Sequence, residues 1–180
     1  TRKAFPCDVP ATASCPTTSH PFSTMLCTWG ESYDGTGAKP IDLKQYGYTE
    51  KEFFQSGKAN VYDLDADQRA TVKSSGNAYT TRLLVRYPDE TKVKFSGRVF
   101  IDILNASSGV DLEDVWRRSW KHMMQSGDAY IGITSKGVTA DALKKFDPTR
   151  YADINWKVNN VNEDGLFWDM LSQLGKIGRA

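Results

Sequence analysis

Downstream of Glu52 the apolar residues first follow a strand-like period, and the spacing turns helical only past residue 110. EFFQSGKANVY carries aromatic residues at both ends and predicts a strand, with Gly57 marking a bulge or kink. DLDADQR reads as a turn leading into a polar strand around Val72. Residues 79–88, YTTRLLVRYP, are rich in β-branched and aromatic side chains and close on Pro88, which predicts another strand. Residues 98–105, RVFIDILN, form the most apolar stretch, and such continuity predicts a strand covered on both faces.

The helical period follows. Leu112, Val115, Trp116, Trp120, Met123 and Met124 recur at spacings of three and four, with Asp111 as the expected N-cap, Asp114 three residues on, and Gly127 as the stop. AYIGIT (129–134) predicts a buried strand, and TADALKKF a short helix ending before Pro148. Residues 28–50 and the stretch DPTRYADINWKVNNVNED read as loops. The last segment places Leu166, Phe167, Met170, Leu171, Leu174 and Ile177 on one helical face. Strands in series followed by strand–helix–strand predict an α/β protein, antiparallel at first, with a parallel βαβ unit over residues 98–134.

Composition narrows the class. With 180 residues and 23 Lys+Arg against 22 Asp+Glu, the net charge is +1, which argues against a dedicated nucleic-acid binder. Five Trp, eight Tyr and eight Phe require a packed core, so disorder is excluded. No apolar run approaches the ~20 residues of a membrane span. Cys7, Cys15 and Cys27 all fall in a Pro-, Ser- and Thr-rich segment, which reads as a disulfide-stapled arm of a secreted protein. Three is odd, so one cysteine is free or pairs outside the arm. A zinc site with His20 as fourth ligand fits no common spacing, and no metal is expected.

The candidate chemistry is sparse. Ser135 in GITSKG imitates a nucleophile elbow, but Gly132 stands one place too early and no long amphipathic helix is expected straight after it. Asp63, Asp65 and Asp67 imitate a calcium loop, yet Gln68 and Ser74 stand where Gly and Glu belong. His20 and His122 lack the setting of a general base. Asn105-Ala106-Ser107 is formally a glycosylation sequon. No phosphate-cradling motif occurs, and no cofactor is expected. In ILNASSGVDLEDVW a buried strand meets a helix through small residues, an arrangement that leaves backbone amides open to an anion.

The ordered blocks GKANVYDLDAD, YTTRLLVRYP, FSGRVFIDILNASSGVD, AYIGIT, LKKFDPTRY and DMLSQLGK make residues 53–180 resemble the N-terminal half of an α/β-hydrolase-domain family of esterase-like proteins. Residues 1–52, the Cys-containing arm and loop, stand outside that resemblance. The resemblance implies an α/β-hydrolase sheet with RVFIDILN as its third strand, and places an oxyanion amide among Asn105, Ala106, Ser107, Ser108 and Gly109. It also implies that the nucleophile, acid and histidine lie beyond this chain, so the sheet is incomplete without a C-terminal half.

Joined to the odd cysteine, this predicts the N-terminal chain, inactive alone, of a processed, secreted two-chain hydrolase or acyltransferase acting on an ester, lactone or related acyl bond. Its partner would be the C-terminal chain of the same precursor, with neither nucleic acid nor membrane involved. The competing expectation is a non-catalytic secreted binding domain whose tryptophans and Tyr-rich loop (33–48) form a ligand surface. A third is glycoside hydrolysis by acidic pairs, for which Asp102 is the lone candidate.

Overall fold

The computed structural model describes residues 42–177 and the short strand β1 (Ala4–Pro6). Cys7, Cys15, Cys27 and His20 lie outside the described residues. Two long strands dominate, β2 (Tyr48–Leu64) and β3 (Ala70–Pro88), joined by a turn and paired antiparallel. The turn is built by Asp65, whose Oδ1 accepts the amides of Asp67 (2.9 Å) and Arg69 (2.8 Å), so the acidic run is a polar turn as expected. Beyond them come β4 (Val99–Ile103), helix α1 (Asp114–Ser126), β5 (Ala129–Ile133) and helix α2 (Gly137–Phe146). A small hairpin, β6 (Lys157–Val158) and β7 (Val161–Asn162), precedes helix α3 (Phe167–Ile177).

The main sheet runs β1-β2-β3-β5-β4, so β5 inserts between β3 and β4. β5 is antiparallel to β3 and parallel to β4, as the antiparallel-then-parallel reading expects. Helix α1 covers one face with Trp116, Trp120, Met123 and Met124 over Tyr48 and Tyr130. The other face carries α2 and α3, with Leu143, Met170 and Leu174 packed among Tyr79, Leu83 and Ile133. Gly127 ends α1 at φ +73, the left-handed cap that glycine adopts without strain.

Several expectations need correction. RVFIDILN is not covered on both faces: among the described residues β4 is the outermost strand, and Val99, Phe100, Ile101 and Ile103 are 37–48% exposed. Its apolarity reflects its place beside β5, whereas strand order is set by tertiary packing. Gly57 is no bulge, since it pairs in register with Tyr79. A Cβ there would meet Gln173 Oε1 at 2.9 Å and the Tyr79 ring at 3.1 Å, so the glycine lets α3 pack closely over β2. Two register shifts lie further along, between Ala59 and Val61 and between Val61 and Tyr62, and Gly76 on the facing strand takes φ +72.

Residues 43–50 are not loop, because Tyr48 starts β2 with its ring buried and its hydroxyl donating to the Asp128 (2.9 Å) and Met123 (3.1 Å) carbonyls. Asp111 is not the N-cap of α1: Glu113 holds that position, and the Asp111 carboxylate is drawn into the core by Thr134 and Arg82. The loop-like stretch before α3 contains the β6–β7 hairpin, turned by Asn159 and Asn160 at φ +52 and +65.

Candidate functional site

Because β4 and β5 run parallel, their C-terminal ends lie together, and each hands the chain to a helix. The Leu104 amide donates to the Ile133 carbonyl (3.1 Å), and the chain then leaves the sheet as the segment 105–113. Asn105 and Leu112 exchange two backbone hydrogen bonds (2.9 and 3.0 Å) that pinch this loop at its base. Inside it, the Gly109 amide donates to the Ala106 carbonyl (2.9 Å), with Gly109 at φ +73. Asn105 Oδ1 accepts the Ser107 amide (2.8 Å) and hydroxyl, while Asn105 Nδ2 donates to Asp114 Oδ2 at 2.7 Å. The sequon nitrogen is therefore engaged. All five residues singled out from the sequence gather in one tight turn. The amides of Asn105, Ser107 and Gly109 are engaged within it, and those of Ala106 and Ser108 make no hydrogen bond among the described residues.

Ser135 stands beside this loop, buried, its hydroxyl donating to the Leu104 carbonyl at 2.6 Å. Helix α2 is the short helix expected over TADALKKF, opening two residues earlier than that, at Gly137. Lys136 is extended (φ −144°, ψ 146°) and lets the chain turn from strand to helix there. The serine is still a strand-end residue without a base. His122, the one histidine among the described residues, lies in the second half of α1, where Asp128 feels its charge at the opposite end of β5. No Ser–His–acid set is assembled among the described residues.

Beneath the loop lies a buried ionic layer that sequence reasoning missed. Arg82 and Arg86 project from the α1 face of β3, and both are essentially inaccessible. Arg86 Nη2 donates to both Glu113 oxygens (2.7 and 3.0 Å) and its Nε to Glu50 (2.7 Å), with the guanidinium 4.3 Å from the Trp116 ring centroid. Arg82 pairs with Glu52 and reaches Asp111 Oδ2 at 3.5 Å, an oxygen that also accepts from Thr134 at 2.5 Å. Glu52 is further held by Arg150 Nε (2.7 Å) and Tyr151 OH (3.0 Å).

The environment divides these carboxyls. Burial raises the Glu52 pKa, but Arg82 and Arg150 outweigh it and leave the group below its ordinary value. Burial wins at Asp111, whose pKa rises despite Arg82, and at Glu113, pushed up to about 7 against the pull of Arg86. Asp102, the candidate for acidic-pair chemistry, is buried and accepts from Tyr130 OH at 2.8 Å, with its pKa raised chiefly by burial. It faces the core rather than a cleft. The available signal was a pair of arginines four apart around the apolar run Leu83, Leu84 and Val85, with Asp111 and Glu113 alternating toward them.

The competing ligand-surface expectation also meets the structure here. Trp116, Trp120, Trp156 and Tyr48 are core residues, and only Trp168 among the described tryptophans is exposed. Among the described residues no group of acids, cysteines and histidines is placed to hold a metal ion, and no helix is long and apolar enough to cross a membrane.

A mixed sheet with one parallel pair and helices on both faces define an α/β domain. The family model for the alpha/beta hydrolase domain matches residues 6–180, and the chain belongs to that family. The match takes in residues 6–52, ahead of the segment that carried the resemblance. No curated protein and no solved structure matches the chain.

Proposed function

We propose that this chain is the N-terminal part of a secreted, serine-type α/β hydrolase acting on an ester, lactone or related acyl bond. It supplies scaffold and an oxyanion amide, while nucleophile, acid and histidine come from a companion C-terminal chain of the same precursor. The carrying observation is the pairing of two features at one corner. β4 offers an outer edge with four apolar side chains 37–48% exposed, and its C-terminal end leads straight into a loop with two unengaged amides. A strand added along β4 would cover those side chains and bring its own end to the loop. Ala106 and Ser108 are then the oxyanion donors, because the other amides of the turn are engaged. A serine on the companion attacks the acyl carbon, its proton passes to the companion's histidine, and the alkoxide or amine leaves with that proton. Water then releases the acid by the same route.

The test is mass spectrometry of native material with and without reductant, combined with a fluorophosphonate probe. The reading expects an assembly well above 20.1 kDa that resolves into this chain and a distinct one, with label on the distinct one only. A native mass equal to this chain or its simple multiples, without label, overturns it. Loss of a covalent complex on reduction alone would assign the odd cysteine to a link between the chains.

A further inference from the structure

We propose that Arg82 and Arg86 are positioning residues for the 105–113 loop, each gripping one acidic residue at the loop's return so that the Ala106 and Ser108 amides are held at a fixed place. This rests on the oxyanion reading of the loop. Three observations carry it. The backbone bonds between Asn105 and Leu112 close the loop at its base. Asp111 and Glu113 flank Leu112 at that closure, and both carboxylates run down to β3, to Arg82 and Arg86. Each arginine is itself fixed from behind: Arg82 by Glu52, which Arg150 and Tyr151 hold, and Arg86 by Glu50 and the Trp116 ring.

Apolar side chains would fill this layer at no loss of stability, since buried ion pairs seldom outperform well-packed hydrophobic residues. What the pairs add is direction. A guanidinium binding both oxygens of Glu113 sets orientation as well as distance, and lysine cannot reproduce that.

The experiment uses the full protein with its companion chain and p-nitrophenyl acetate as probe substrate. Arg86→Met with Glu113→Gln removes both charges of the bidentate pair together, and of Arg86's partners leaves only the partly exposed Glu50 without its Arg86 bond. Arg86→Lys is the second variant, keeping charge without the fork. The double variant is expected to lower kcat by about 10- to 100-fold, part of the full effect of losing an oxyanion donor, with KM within about twofold. Arg86→Lys falls between it and the wild type. Amide exchange read by mass spectrometry should quicken in the peptide spanning 105–113 while β3 and β5 stay protected. Wild-type kcat and unchanged loop exchange in a folded double variant overturn the positioning role. Absence of turnover in the wild type overturns the hydrolase reading instead, and loop exchange then still decides whether the arginines hold the loop.

Discussion

Gly127 and Gly76 share a backbone conformation, at φ +73 and +72, but not a neighbourhood. A Cβ on Gly76 would meet nothing within 4 Å, whereas one on Gly127 would lie 2.3 Å from the Lys94 carbonyl oxygen. Alanine at either site suffers the left-handed conformation, worth about 1 kcal/mol. At Gly127 it must also displace the segment after Lys94, which the Gly127 carbonyl holds through the Ser96 amide at 2.8 Å. Backbone displacement by overpacking adds about 1–3 kcal/mol. Gly76→Ala should therefore cost about 1 kcal/mol, and Gly127→Ala about 2–4 kcal/mol. Urea denaturation followed by tryptophan fluorescence reads both, because Trp116 and Trp120 lie on the helix that Gly127 ends. The difference between the variants isolates the steric part, their conformational part being shared. Equal midpoints would refute the close approach of the 94–98 segment to the end of α1.

Glu113, pushed up to about 7 from 4.5, binds a proton in the fold that it would release unfolded, so its stabilising effect is complete below about pH 4.5 and is lost as pH rises through 7. That corresponds to about 3 kcal/mol, and Glu113→Gln should flatten the fall in urea midpoint between pH 5 and 8; an unaltered slope would exclude Glu113 as its source. Ile103 and Ile133 are register partners on adjacent strands, one 48% exposed and the other fully buried. Ile133→Ala should cost about 2–5 kcal/mol and Ile103→Ala under about 0.5 kcal/mol in this chain alone, as thermal melts will show. Tyr130→Phe removes the hydroxyl that donates to buried Asp102, and should cost about 1–3 kcal/mol by urea titration.

Local pattern and tertiary order contributed unequally to what could be read from the residues. The helical spacing of Trp116, Trp120, Met123 and Met124 gave α1 and its buried face, because that period is fixed by backbone geometry. The turn at Asp65 was equally legible, since one side chain folds it. The outer place of β4 was not, because an apolar strand reads the same whether its neighbours lie on one side or two. Asp111 misled for a related reason. An acid before a helix has two outlets, the helix amides or a cation across the chain, and Arg82 is 29 residues away in sequence. The loop 105–109 was found by its small residues and by resemblance, while the arginines beneath it left only the trace of two charges in an apolar run.

The insertion of β5 between β3 and β4 also has a consequence for synthesis on the ribosome. β3 is complete at Pro88, but the strand that will flank it begins only at Ala129, 41 residues later. At ordinary elongation rates its outer edge stays unpaired for about 2–8 s. For the first part of that interval Arg82 and Arg86 have only Glu52 and Glu50 of β2 as carboxylate partners, since Asp111 and Glu113 follow 23 and 25 residues after Pro88. Inward-pointing charges are what keeps an open strand from pairing with a neighbouring nascent chain. The same two side chains thus guard the edge while it waits, and gain their second carboxylate partners only when the chain that follows delivers the loop.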